Sequence, residues 1–293
     1  MRIVLTGASG FIGSHLVADL ATRHDVVAVG RDEPPALPDG VRWVTQDLAR
    51  GVDPTLLPAE VDAVVHLAQS KHYRSFPEGA DDVFAINVES TFDLLEYARH
   101  AGARTYVYAS SGGVYGGSEH AFSEGDRLNP LNFYLSSKYA AEALVASYRS
   151  IFTTVIFRFF FVYGPGQRAM LIPSLVEKVL AGDEIVIEGN PGLRINPIFV
   201  GDAARVFEPA LALEESELVN VAGDEAVTIT DLVALVGDVT GVEPNVVHAD
   251  AAPAGDLVGD NTRMKRVLGV VPATTLRDGL AATARALAPS RVA

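Results

Sequence analysis

Short apolar runs alternate along the chain with longer segments whose apolar residues recur at helical spacing. Arg2 to Thr6 is an apolar run that stops at Gly7, and Phe11 to Ala21 follows with the periodicity of a helix. Val26 to Val29, Val41 to Thr45 and Ala63 to Leu67 read as further strands, and Asp82 to His100 as one long amphipathic helix. Thr105 to Ala109 reads as a strand, followed by a Gly- and Ser-rich stretch over Ser110 to Asn132, an Ala-rich helix over Tyr134 to Arg149 and a buried strand over Thr153 to Phe159. Strands separated by helices with short connections predict an α/β fold, a doubly wound parallel sheet covered on both faces.

Beyond Tyr163 the pattern loosens. Helices are expected at Ile172 to Ala181, Asp202 to Leu213, Thr230 to Thr240 and Thr275 to Leu287, with short strands at Ile185 to Glu188, Arg194 to Val200 and Leu218 to Val221. We assign 1–163 to the sheet domain, with 195–222 returning to it, and 164–194 with 223–293 to a smaller C-terminal region. No linker of biased composition separates the two, so they should pack as one body around a cleft at the carboxyl ends of the strands.

Composition narrows the chemistry. A length of 293 residues allows one large unit or two interlocked ones at roughly 150 residues per domain. The net charge of −14 gives no electrostatic footprint for nucleic acid or an anionic membrane. There is no cysteine, which excludes disulfides and thiolate chemistry, and the seven histidines lack metal-ligand spacing, so no metal site is expected. MRIVLTG lacks the regions of a signal peptide and no long uncharged apolar stretch occurs, so a cytoplasmic location is expected.

Four segments carry candidate chemistry. The first βα turn, T-G-A-S-G-F-I-G, places Gly7, Gly10, Phe11, Ile12 and Gly13 where a backbone approaches a pyrophosphate and a helix N-terminus supplies N–H donors. At the end of the second strand, where an acid accepts from a ribose hydroxyl, stand Gly30, Arg31 and Asp32; this leans to a phosphorylated dinucleotide, NADP over NAD, although Asp32 can also face the ribose. Tyr134 and Lys138 lie four apart, on one helical face, where an ammonium lowers a phenol's pKa toward use as an acid or base. Upstream, A-S-S-G-G-V-Y-G puts Ser110 and Ser111 at the mouth of the sheet, able to donate to a substrate oxygen or to serve as turn hydroxyls.

Together with H-L-A (His66 to Ala68), N-V-x-x-T (Asn87 to Thr91), V-Y-G-P-G (Val162 to Gly166) and N-P-I-F-V-G-D (Asn196 to Asp202), these segments resemble the extended short-chain dehydrogenases/reductases, the NAD-dependent epimerase/dehydratase family. The resemblance implies a Rossmann domain with a small substrate-binding region, a nucleotide-sugar substrate and an NAD(P) cofactor, and it is compatible with a homodimer. It implies that Ser111, Tyr134 and Lys138 form the catalytic set, with Lys138 holding the ribose. It also implies that Asp47 and Leu48 flank the adenine, that Leu67, Ala68 and Ala109 line the cofactor, and that Asn87 lies in a segment supporting the active site.

The departures sharpen the reading. Gly112 and Gly113 stand where 4,6-dehydratases of this type carry an Asp-Glu pair, so elimination of water has no evident catalyst. Phe161 replaces the Asn of R-x-x-N-x-Y-G-P, and Ala254 replaces the Arg that precedes the late Gly255-Asp256. Arg168 and Arg194 remain as anchors for an anionic substrate, beside Ser111 and Phe161. The expectation is hydride transfer at a secondary alcohol or ketone of a sugar, leaning to a ketoreductase. An epimerase with retained NAD is the alternative, and a non-catalytic dinucleotide-sensing protein the third.

Overall fold

The computed structural model describes residues 1–34, 36–251 and 255–288, so Ala254 lies outside the described residues. Six strands, β1 (Arg2–Thr6), β2 (Asp25–Gly30), β3 (Val41–Thr45), β4 (Ala63–His66), β5 (Thr105–Ser111) and β6 (Thr153–Phe159), join a seventh, Glu217–Val221, in one sheet. The order is Glu217–Val221, β6, β5, β4, β1, β2, β3, and every pairing is parallel. Strand order reverses between β1 and β4, and such sheets open a ligand crevice at that point.

Alternation along the strands divides two cores. Ile3, Leu5, Val26 and Ala28 face one side, where Leu16 and Leu20 of α1 (Phe11–Ala21) and Phe207 cover them. Val4, Val27 and Val29 face the other, under Leu94 and Leu95 from the helical segment after β4, and Ala141 and Val145 from the helix after β5. A third core gathers Ile172, Val176, Leu232 and Leu280 of the C-terminal region, with Tyr163 and Ile195 reaching into it from the two segments assigned to the sheet domain. Met264 and Leu268, late in the chain, pack into the first core instead.

The segment expected as one helix over 82–100 is three pieces: α2 (Ala80–Phe84), a π-helical turn over Ala85–Glu89, and α3 (Ser90–His100). The hydroxyls of Ser90 and Thr91 donate to the carbonyls of Ile86 (2.6 Å) and Asn87 (2.7 Å), which gives the widened turn its own partners. The helix expected over 202–213 is likewise divided, into Val200–Ala204 and Phe207–Leu211, because Pro209 has no N–H for the Arg205 carbonyl. Strand Asn245–Ala249, paired with Glu184–Glu188, and helix Thr262–Leu268 are additional to the expected elements. Helix α4 (Phe133–Ser147) starts at Asn132, whose side chain accepts from the Leu135 amide at 2.9 Å, and this cap fixes where Tyr134 enters the cleft.

Candidate active site

At the switch point the turn after β1 rests on the turn after β4. A Cβ at Gly7, whose φ is +74°, would stand 2.7 Å from the Ala68 nitrogen, and one at Gly13 would stand 2.1 Å from the Gly7 carbonyl oxygen. Only glycine fits at either place. Helix α1 begins at Gly10 with no side-chain cap and no acidic residue in its first turn. Its leading N–H groups, among them those of Phe11 and Ile12, therefore offer donors and positive potential with no carboxylate to repel an anion, a cradle that fits a dinucleotide pyrophosphate.

Behind this turn His66 is fully buried between two hydroxyls, with Nδ1 2.6 Å from Thr6 Oγ1 and Nε2 3.1 Å from Thr91 Oγ1. Thr91 gives its proton to the Asn87 carbonyl, so it accepts from Nε2, and Thr6 donates to Nδ1 while accepting from the Ala68 amide at 3.3 Å. Burial, with the charge of Lys138 adding to it, pushes the imidazole down to about 3. His66 is thus a neutral brace for the H-L-A turn.

Tyr134 and Lys138 share a face of α4, as their spacing requires. The Tyr134 hydroxyl donates to Gln69 Oε1 at 2.9 Å, and Lys138 Nζ donates to the Ala109 carbonyl at 3.0 Å while lying 5.1 Å from the centre of the Tyr108 ring. Desolvation pushes the Lys138 amine down to about 7, opposed by the Glu142 carboxylate one turn on. The expectation that the ammonium lowers the phenol's pKa is corrected. Desolvation, and then Tyr73, whose ring lies 5.3 Å away, hold the Tyr134 phenol above its ordinary value, because Lys138 is turned to β5.

The serines divide their work. Ser111 Oγ accepts from the Gly113 amide at 3.2 Å at the mouth of β5, whereas Ser110 is buried and donates to Glu142. Glu142 also takes Arg158 Nη2 at 2.6 Å, a pair whose side chains are 5% and 4% exposed. Arg158 in turn lies over the Tyr115 ring, 4.7 Å from its centre. Ser110, a candidate donor to substrate beside Ser111, is thus engaged in the interior, and neither Glu142, Arg158 nor Gln69 stood among the expected site residues; the spacing of Glu142, four after Lys138, was the available signal. A Cβ at Gly112 would meet the buried Phe160 ring at 2.6 Å and one at Gly113 the Leu135 side chain at 2.8 Å, so an acid at either place would have to displace a side chain. Glu124 is engaged with the Asn220 amide at 2.8 Å.

The remaining expected residues scatter by role. Asn87 is fully buried, accepting from the Ser70 amide at 3.1 Å and donating to Ser137 Oγ at 2.9 Å, so its side chain ties the π turn to α4. Asp47 caps the turn that holds Leu48, and the Leu48 side chain is buried in the second core. Leu67 and Ala68 are half-buried at the switch point, and Arg31 and Asp32 are exposed. Phe161 is half-buried with φ +44°, a left-handed conformation that Asn tolerates and Phe does not favour. Arg168 is exposed, and Arg194 is paired with Asp256 at 3.1 Å. Beside Tyr134 opens a cavity of about 410 Å³, lined by His72, Tyr73, Arg74, Phe76 and Phe133 among others. Among the described residues no helix is long and apolar enough to cross a membrane.

Comparison with known proteins agrees with this geometry. Residues 3–222 match the model of the NAD dependent epimerase/dehydratase family. A dTDP-4-dehydro-6-deoxy-D-allose reductase from a Streptomyces species is 32% identical, with 97% of this chain and 95% of the relative covered. An uncharacterized UDP-glucose epimerase, YtcB of Bacillus subtilis, is 30% identical over 96% of each chain. The structure of UDP-glucuronic acid 4-epimerase from Bacillus cereus, in complex with UDP-glucuronic acid and NAD, superposes with a TM-score of 0.88 at 26% identity, covering 98% of this chain and 99% of that one. With the glycine turn at the switch point and Tyr134 and Lys138 on one helix, the chain belongs to the NAD-dependent epimerase/dehydratase family, enzymes of the extended short-chain dehydrogenase/reductase type.

Proposed function

We propose that the protein reduces a keto group on a nucleotide-linked sugar with NADPH, using Ser111, Tyr134 and Lys138. The observation that carries this reading is the end of β2, where Gly30 offers no acid to a ribose hydroxyl and the exposed Arg31 suits a 2′-phosphate. A reductase exchanges its dinucleotide each turnover, whereas an epimerase returns the hydride and can retain it. When bound, the dinucleotide supplies the hydride for the carbonyl carbon. Tyr134 holds the proton for the carbonyl oxygen, since a phenol is in its acid form at neutral pH. Ser111 Oγ, at the mouth of β5, donates to the same oxygen and shares its developing charge. Lys138 presents its amine one helical turn further on, with the ribose hydroxyls as partners.

In this reading the turn from Gly7 to Gly13 takes the pyrophosphate, Asp47 and Leu48 flank the adenine, and Leu67, Ala68 and Ala109 line the nicotinamide half. Asn87 acts through α4. Arg168 and Arg194 face the substrate from the region formed by 164–194 and 223–293, and Phe161 does so from the end of the sheet domain. A third core built mainly from 164–194 and 223–293 supports that division, while Tyr163 and Ile195 reach into it and Met264 and Leu268 tie the C-terminal region to the sheet. Pairing of two copies as a homodimer belongs to the same reading. The closed sites at Gly112 and Gly113 speak against 4,6-dehydration.

The test is incubation with a nucleotide-linked 4-keto-6-deoxyhexose and NADPH or NADH, following loss of the reduced dinucleotide. The expected result is oxidation of NADPH in stoichiometry with the keto sugar, faster than with NADH. Likeness to the Bacillus cereus epimerase favours the second reading, an epimerase holding NAD. Co-purified NAD, epimerised UDP-sugar and no net oxidation would establish that reading in place of the first.

A further inference from the structure

Gly30 is a glycine for reasons of space. No positive φ is required of it, yet a Cβ built there would lie 2.7 Å from Cη2 and 2.8 Å from Cζ2 of Trp43. The parallel register sets Ala28 beside Trp43 and Gly30 beside Thr45, so these four side-chain positions share one face of the β2–β3 pair. Ala28 is fully buried and small, and the indole packs at the margin of the first core from β3 and covers the end of β2. Trp43 Nε1 donates to Thr45 Oγ1 at 3.2 Å, which holds the ring in this orientation.

We propose that Trp43 is a specificity-determining residue for the dinucleotide: its indole fills the space over Gly30 where a carboxylate would stand to accept from the ribose 2′-hydroxyl. An acid at that position would have to displace the ring, which is half-buried against the first core and held by its bond to Thr45. The next residue, Arg31, is exposed and free of the same constraint, so a guanidinium directly follows a position 30 that carries no carboxylate, and the nearest acid is Asp32, one residue further on. Selection is thus exerted from β3, a strand that carries none of the recognised cofactor-binding residues.

The inference rests on the reading of the site as one for a 2′-phosphorylated dinucleotide, and the experiment separates the two. Binding of NADP⁺, NAD⁺, 2′,5′-ADP and 5′-AMP to the intact protein is measured by calorimetry for the wild type, Gly30→Asp, Trp43→Val and Gly30→Asp/Trp43→Val, each with a melting curve. Because Trp43 is the only tryptophan, its emission gives a second binding signal for the wild type and Gly30→Asp. The wild type is expected to hold 2′,5′-ADP at least about tenfold more tightly than 5′-AMP, the effect of a charge-assisted pair. Gly30→Asp alone should melt lower and gain no affinity for NAD⁺. The double variant should recover melting temperature and bind NAD⁺ about tenfold more tightly than either single variant.

A wild type indifferent to the 2′-phosphate overturns both the cofactor reading and this inference. A wild type that prefers the phosphate, combined with a Gly30→Asp protein that melts normally and binds NAD⁺ more tightly, leaves the cofactor reading standing and overturns the role of Trp43. Should the aspartate variants not fold, Gly30→Ala with and without Trp43→Val repeats the contest with a single methyl group. Equal losses of melting temperature in the two backgrounds would overturn the packing on which the role of Trp43 depends.

Discussion

Where the turn after β1 meets the turn after β4, a single methyl group at Gly7 or Gly13 collides with backbone; at the positions proposed for the opposite, substrate-facing wall, Arg168 stands in solvent and Arg194 is held by Asp256 at 44% side-chain exposure. The first wall is built of main chain, and its polar groups, from Thr6 through His66 to Thr91, are all partnered inside the protein. The second is built of side chains, and one of its positions, Phe161, holds a backbone conformation that its residue type resists. A ligand common to a whole family can be bound by backbone geometry, which tolerates little change. A variable ligand is met by exposed side chains, which can be exchanged at small cost to folding.

The largest effect should come from the residue standing between the two walls. Tyr134→Phe keeps the ring and removes the proton, so turnover should fall by about 10² to 10⁴ while dinucleotide binding and melting temperature stay near wild type. Steady-state kinetics beside a binding titration checks this, and turnover within a few-fold of wild type would remove Tyr134 from its role.

Next in size is the buried ion pair. Glu142→Ala leaves the Arg158 guanidinium without its carboxylate and Ser110 without its acceptor, so chemical denaturation should show a loss of about 3–5 kcal/mol. A loss below about 1 kcal/mol would mean that the interior wall is as tolerant as the exposed one.

A pH series sharpens the same contrast. His66 is held down to about 3 from an ordinary 6.5, so between those values the unfolded chain binds a proton that the folded protein does not. Its contribution to stability is complete above pH 6.5 and is lost as pH falls toward about 3. His66→Gln should flatten the dependence of the urea midpoint on pH in that window; parallel curves for the two proteins would contradict a neutral, buried His66.

The smallest change in stability is expected on the proposed substrate wall. Arg194→Ala breaks an exposed pair and should cost under about 1 kcal/mol. If Arg194 anchors an anionic substrate, KM should rise about tenfold with kcat nearly unchanged. An unaltered KM would assign Arg194 to Asp256 alone.

Period and punctuation in the sequence were enough to predict the sheet strands, because strands buried on both faces are largely apolar while the edge strand Val41–Thr45 alternates, and enough to place α1 and α4 by their helical spacing. They were also enough to single out the glycine turn and to set Tyr134 and Lys138 on one face, since both follow from local geometry. The π turn around Asn87 was not legible, because it depends on what Ser90, Thr91 and Ser137 find to bond within the folded chain. Nor was the direction of the Tyr134 shift: spacing brings an ammonium near, but only the fold turns Lys138 to Ala109 and sets Tyr73 beside the phenol. The glycines make the division plain. Residue type alone told that Gly7 and Gly13 serve a tight turn, whereas Gly30, Gly112 and Gly113 are glycines because Trp43, Phe160 and Leu135 arrive there from distant parts of the chain or from another element. Local spacing is written in one dimension; which side chain fills a given space is decided by close packing in three.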